Sequence, residues 1–150
     1  MLIDLYLAKK KKSKSQNTKP KKKKFPRITN KNVKSVLLEY KNENDAAYVL
    51  IETSKGDIKV RLFDATPLHK ANFLMLARRN FYENTVFYRV EENFIVQGGD
   101  SDAYERKSIK RKIGRYDLPP EMYPNTLYHK VGALCMARDY KDNPKKKSSS

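Results

Sequence analysis

A mostly β, antiparallel fold is what the sequence predicts, and three patterns predict it. Ile58, Val60 and Leu62 alternate with Lys59, Arg61 and Phe63, the period of two that lets a strand bury one face. Two more runs of strand length, Thr85–Val90 and Phe94–Gln97, meet at the charged corner Glu91-Glu92-Asn93. A single stretch, after Thr66, repeats apolar residues at helical spacing.

The 150 residues carry a formal charge of +16, and it is unevenly spread. Residues 1–34 hold 13 of the 33 basic residues and one acid, Asp4. Lys9–Lys12, Lys14, Lys19 and Lys21–Lys24 repel one another and have almost nothing to bury, so residues 1–45 are expected to form a basic, disordered extension. Residues 46–150 are then the domain. The extension is either a solvated tail or a weak dock for nucleic acid or another acidic partner, by neutralising phosphates. Tyr6 and Phe25 are the only aromatics of residues 1–34, too few for a base-stacking platform. No apolar run approaches the roughly 20 residues that a bilayer requires. Apolar residues precede the lysines at the N-terminus, the reverse of a secretory signal, so no membrane span and a cytoplasmic location are expected.

Order is expected from about Ala46. Tyr48–Ile51 is apolar and partly β-branched, and Ser54-Lys55-Gly56-Asp57 supplies turn residues before the alternating run, so the pair reads as a hairpin. Thr66 can cap the helix that follows, and Pro67 suits its first position, where the missing N–H costs nothing. Phe73, Leu76 and Ala77 give that helix an apolar face, and Asn80 ends it. Thr85–Val90 and Phe94–Gln97 form the second strand pair, broken by Gly98-Gly99. Residues 100–124 read as loop, and Val131–Met136 as one last strand. Cys135, inside that run and without a partner for a disulfide, reads as a buried, inert thiol.

Most catalytic constellations are missing. The five glycines build no phosphate loop, and His69 and His129 have no ligand at metal spacing, so neither a metal nor a cofactor is expected. Glu91 and Glu92 are neighbours and point to opposite faces of an extended chain, poor geometry for a paired acid and base. Strict alternation puts Phe87 and Arg89 on one face, with Phe94 and Gln97 arriving on the next strand. That is either an exposed arginine beside a core phenylalanine or a functional cation.

Several stretches together resemble the cyclophilin-type peptidyl-prolyl cis-trans isomerases. Val49-Leu50-Ile51-Glu52-Thr53-Ser54-Lys55-Gly56-Asp57-Ile58 is similar to their opening hairpin, and Asn72-Phe73 with Leu76 to their first helix. Phe81-Tyr82-Glu83-Asn84-Thr85 is similar to the turn that follows. Phe87-Tyr88-Arg89-Val90 resembles F-H-R-V, and Phe94-Ile95-Val96-Gln97-Gly98-Gly99-Asp100 resembles F-M-I-Q-G-G-D. His129–Arg138 resembles H-x-x-G-x-L-x-M-A, so the likeness covers about residues 46–150.

The resemblance implies an antiparallel β-barrel with capping helices and an external groove for proline-containing polypeptides. Arg89 would be catalytic. Phe94 and Ile95 would line the proline pocket, Gln97 would hold the substrate backbone, and Ala137 and Arg138 would pair with it through their main chain. Rotation about a peptide bond costs ~18–20 kcal/mol, because the C–N bond is partly double. Only X-Pro bonds populate both isomers appreciably. Twisting returns the lone pair to the proline nitrogen, and a fixed guanidinium can donate to it, with no cofactor or covalent intermediate.

There are departures from the family pattern. Tyr88 stands where the family has His, Ile95 where Met is commoner, and Arg138 where Asn is usual. The relatives also continue beyond a serine-rich turn like Ser148-Ser149-Ser150. The resemblance therefore implies a barrel with one capping helix whose last strands and second helix are absent, and a peptidyl-prolyl isomerase that is either active as it stands or an inactive fragment. The alternative is a non-catalytic basic module that docks acidic partners through its lysines.

Overall fold

The computed structural model describes residues 26–44, 46–99, 107–123 and 126–137, together with the backbone course of residues 2–6 and 148–149. Lys9–Lys24 and Arg138, to which the sequence assigns a phosphate-binding tail and a substrate contact, lie outside the described residues.

Five strands form the main sheet: β1 (Leu2–Tyr6), β3 (Tyr48–Thr53), β4 (Ile58–Arg61), β5 (Thr85–Glu91) and β6 (Ile95–Gly98). Their spatial order is β4-β3-β1-β5-β6, and every neighbouring pair is antiparallel. The β3–β4 hairpin forms where expected, with β3 running on to Thr53 and β4 stopping at Arg61. Gly56 takes φ +122° in its turn, and Thr53 Oγ1 donates to the Gly56 carbonyl at 2.6 Å. β1 comes from the basic extension and lies between β3 and β5, with Ile3 opposite both Thr53 and Thr85.

The mostly β barrel with a single capping helix is not what forms. Among the described residues there are three helices, α1 (Val33–Glu43), α2 (Pro67–Arg78) and α3 (Lys107–Ile113), so the fold is mixed α/β. α1 falls inside residues 1–45, the stretch expected to be disordered. Its Val33, Leu37 and Tyr40 are buried at i, i+4 and i+7, a helical stripe that the surrounding charge outweighed in the sequence. α3 and two short strands, β7 (Gly114–Arg115) and β8 (Asp117–Leu118), occupy the expected loop. Conversely, Val131–Met136 is a turn followed by irregular chain rather than a strand.

The core explains these outcomes. Leu37 and Tyr40 of α1 pack with Leu68, Ala71, Leu74, Met75 and Leu76 of α2 over Val49 of β3. The Tyr40 hydroxyl reaches the Leu74 carbonyl at 3.4 Å. Ile28, Ile113, Tyr116 and Leu118 join the same cluster. Each fully buried aliphatic side chain of this kind contributes about 1.5–3 kcal/mol, enough to order segments whose sequences look like linker.

Ile28 is held by an unusual pairing. β2 (Ile28–Thr29) runs parallel to β7, with Ile28 opposite Gly114. Asn30 brackets the next turn: its Oδ1 accepts from the Asp117 N–H at 2.6 Å, and its Nδ2 donates to Asp117 Oδ2 at 3.2 Å. A side chain at Gly114 would not fit, since a Cβ there would stand 2.0 Å from the Ile28 carbonyl oxygen.

α2 begins at Pro67 with Thr66 as its N-cap, but the Thr66 side chain does not cap it. Glu121 does so from across the chain. Its Oε1 accepts the Leu68 N–H at 3.0 Å, and its Oε2 accepts the His69 N–H at 2.9 Å and contacts the His69 ring at 2.6 Å. Two of the orphan donors of the first turn are thereby satisfied by a negative charge at the positive end of the helix dipole. Burial pushes the Glu121 carboxyl up, but the His69 ring and the two backbone N–H groups outweigh it and hold the group below its ordinary value. Among the described residues no helix is long and apolar enough to cross a membrane.

Two outcomes test this account by chemical denaturation. Gly56→Ala and Gly114→Ala both force a side chain onto positive φ (+122° and +117°), but only Gly114 has no space. Gly56→Ala should cost about 1–3 kcal/mol in backbone strain. Gly114→Ala should cost a further 1–3 kcal/mol or so from the clash, and equal losses would show that the Ile28 contact does not matter. Glu121→Gln should lose roughly 1–3 kcal/mol at neutral pH, the worth of hydrogen bonds to a charged acceptor. Because the folded Glu121 carboxyl lies below its unfolded value, its contribution is complete above the unfolded value. It disappears as pH falls through the folded value. The difference between wild type and Glu121→Gln should therefore shrink on acidification across that window.

Candidate functional site

The β5–β6 hairpin carries most of the residues singled out in the sequence. Its corner turns on Asn93 at φ +57°, and the Phe94 N–H donates back to the Glu91 carbonyl at 3.2 Å. Along the ladder, Glu91 faces Ile95, Val90 faces Val96 and Arg89 faces Gln97. The next pair is Phe87 with Gly98, so Tyr88 is an extra residue and the strand bulges there.

That bulge corrects the expectation that Phe87 and Arg89 share a face. Gln97 and Gly98 are consecutive and point to opposite sides, so their partners Arg89 and Phe87 do as well. Phe87, half-buried, stays on the side of buried Thr85. Arg89 is turned to the opposite side, together with Glu91, Ile95 and Gln97. Re-aiming a side chain is what a bulge does, and strict alternation cannot anticipate it.

On that side the guanidinium is gripped from two directions. Nη1 donates to Gln97 Oε1 at 2.8 Å. Nε and Nη2 both donate to Glu91 Oε1, at 2.8 Å and 2.5 Å. Of the five N–H groups that an arginine carries, one on Nη1 and one on Nη2 make no hydrogen bond among the described residues. The side chains of Arg89 and Glu91 are 45% and 47% exposed, so the cation stands at a water-accessible surface. It is a fixed, two-donor cation beside an aliphatic side chain, suited to an oxygen or nitrogen lone pair next to an apolar ring.

Two more structural ties seat the hairpin. Gly99, just past β6, takes φ +81°, and a Cβ there would lie 3.1 Å from the Tyr82 ring. That ring packs at 5.2 Å from the rings of both Phe73 on α2 and Phe81. Burial raises the Tyr82 hydroxyl well above its ordinary value, so it is a packing group that stays protonated.

The other expected site residues are placed less tightly. Ile95 is half-buried opposite Glu91, whereas Phe94 projects from the corner and is 74% exposed. Ala137 is exposed at the end of the irregular segment that Met136 anchors to the core. Cys135 is exposed rather than buried, and partial desolvation raises its thiol, which makes it a weak nucleophile. Glu91 is the contact of Arg89 that sequence reasoning passed over. Its signal was its place two residues from Arg89 on one strand, which puts both on the same face. No three His, Cys, Asp or Glu side chains among the described residues are grouped to hold a metal.

One sheet surface thus presents an anchored arginine, a glutamine and an aliphatic residue together. Comparison with known sequences makes the class specific. The family described as "Cyclophilin type peptidyl-prolyl cis-trans isomerase/CLD" matches residues 48–150, and the chain belongs to that family. The chain is 40% identical over 97 residues to "Peptidyl-prolyl cis-trans isomerase-like 3" of Dictyostelium discoideum, covering 63% of this chain and 58% of that protein. It is 42% identical over 90 residues to "Peptidyl-prolyl cis-trans isomerase-like 1" of Gibberella zeae, covering 59% and 54%. With "Peptidyl-prolyl cis-trans isomerase B" of Escherichia coli it shares 36% over 91 residues, covering 60% and 52%. The chain thus spans a little over half the length of these relatives. No solved structure matches it.

The seating of the hairpin is open to test. Gly99→Ala should push the Tyr82 ring, change the near-UV circular dichroism of the tyrosines and destabilise by about 1–3 kcal/mol. An unchanged spectrum and midpoint would show that Gly99 is not fixed by Tyr82.

Proposed function

We propose that the chain carries the substrate face of a peptidyl-prolyl cis-trans isomerase and acts on X-Pro bonds in polypeptides. One observation carries the reading: Arg89 is turned by the bulge to the side opposite Phe87 and anchored by Gln97, with two donors left over beside Ile95. Family membership supports the same reaction.

In this reading Arg89 is the catalytic group. One of its remaining N–H groups donates to the proline nitrogen as that atom becomes pyramidal, which lowers the energy of the twisted form relative to the planar one. Only an interaction stronger in the twisted state than in the ground state accelerates rotation. Holding the cation fixed before the substrate arrives avoids reorganisation during the step. Ile95 and Phe94 offer the apolar contact for the proline ring. The Gln97 side-chain carbonyl is engaged by Arg89, which leaves its amide N–H groups for a substrate carbonyl. Ala137 and Arg138 would pair with the substrate backbone. Proline-containing polypeptides are the substrate class, and no bond is made or broken.

The test is cis–trans exchange in an Ala-Pro peptide, measured by NMR with the full chain and its Arg89→Ala variant. Arg89→Ala should lower kcat/KM on the order of 10²-fold, the usual loss when a preorganised donor is removed. The far-UV circular dichroism should not change, because Arg89 lies outside the core. Absence of catalysis by the wild-type chain, or near-full activity in Arg89→Ala, would overturn the reading.

A further inference from the structure

We propose that Glu91 is a positioning residue for this reaction, holding Arg89 in the one orientation that can serve the twisted peptide bond. The inference rests on the isomerase reading and adds to it a residue that the family resemblance does not mark.

The argument starts from the freedom of an arginine on a sheet surface. Its long side chain carries about 2 kcal/mol of rotamer entropy, and half-exposed it has little packing to restrain it. Gln97 alone would leave the guanidinium free to rotate, because it accepts a single hydrogen bond from Nη1. Glu91 takes the opposite side, at Nε and Nη2 together. Contacts at Nε and at both terminal nitrogens fix the plane of the group as well as its position. The strand sets this up. Glu91 is two residues from Arg89 on the same face, and Gln97 is the residue directly across from Arg89. The two acceptors therefore flank the cation by register.

A competing effect has the opposite sign. A carboxylate on the guanidinium draws off positive charge and would weaken its attraction for the proline lone pair. Exposure decides between the two. With both side chains nearly half in water, the Coulombic effect is strongly screened, and the directional preference of three converging hydrogen bonds is the larger remaining effect. Glu91 accordingly adds little to global stability, since exposed ion pairs contribute little. Its effect belongs in kcat. The neighbouring Glu92 lies in the turn and makes no contact with Arg89 among the described interactions, so it serves as a control of equal charge.

The experiment measures Ala-Pro exchange with the full chain and Glu91→Ala, Glu91→Gln and Glu92→Ala. Glu91→Ala should lower kcat about tenfold with KM little changed, as a misaligned catalytic group does. Glu91→Gln keeps a carbonyl acceptor at the same place and should recover most of that loss. Glu92→Ala should match wild type. In an Arg89→Ala background, Glu91→Ala should have no further effect. In parallel, ¹⁵N relaxation of the Arg89 Nε–H should show an ordered group in wild type and a mobile one in Glu91→Ala. Glu91→Ala turning over as fast as wild type or faster would overturn the proposal, as would a loss that persists without Arg89. Should the chain catalyse no isomerisation at all, the isomerase reading falls by itself. The relaxation measurement then decides whether Glu91 positions Arg89: unchanged order in Glu91→Ala would overturn that too.

Discussion

Burial of α2 on nearly every side is the constraint from which the rest of the structure follows. Leu68, Ala71, Asn72, Leu74, Met75, Leu76 and Ala77 are all buried, which a single sheet face cannot achieve. α1 must cover one flank, and the segment from Ile113 to Glu121 another. Polar groups drawn in with the helix then need partners. Lys70, 3% exposed, donates to Asp64 at 2.5 Å, and that bond and charge hold the Asp64 carboxyl below its ordinary value. Asn72, 0% exposed, accepts from the Tyr116 hydroxyl at 2.5 Å. The Glu121 cap completes the set. The Asn72–Tyr116 and Glu121 contacts join residues far apart in sequence and so tie the helix to the later loop, while Tyr40 on α1 reaches the Leu74 carbonyl from the N-terminal side.

The face that carries Arg89 depends on one irregularity in β5. One extra residue, Tyr88, separates Phe87 from Arg89, so the two point to opposite sides of the sheet. A regular strand would place both on one side. The bulge presents the charged group in the register where Gln97 and Glu91 hold it. Seating of Gly99 against Tyr82, which packs on Phe73 of α2, ties this face to the core. Damage to the α2 packing is thus transmitted to the hairpin through aromatic contacts rather than through the sheet alone.

Local patterns in the sequence determined a good deal. The β3–β4 hairpin, the start of α2 at Thr66-Pro67 and the pairing of β5 with β6 follow from alternation, helix-start chemistry and turn residues. Arg89, Ile95 and Gln97, named through their likeness to the cyclophilins, do lie together, because they sit on two adjacent strands. The apolar corner residue Phe94 and the later Ala137 were named in the same way, but a hairpin cannot fix where an irregular segment goes.

What only the tertiary structure decided shares one physical cause, that the deciding contact lies far away in the chain. α1 reads as a charged linker until α2 covers its Val33–Leu37–Tyr40 stripe, and β1 has no partners until β3 and β5 are in place. The Gly114–Ile28 contact and the Glu121 cap are invisible without the fold, since no spacing rule links residues 28 and 114 or 68 and 121. Within the site, the sequence determined which side chains are present, and pairing across the sheet decided where they point. A bulge depends on the register between two strands, and register is a property of the assembled sheet.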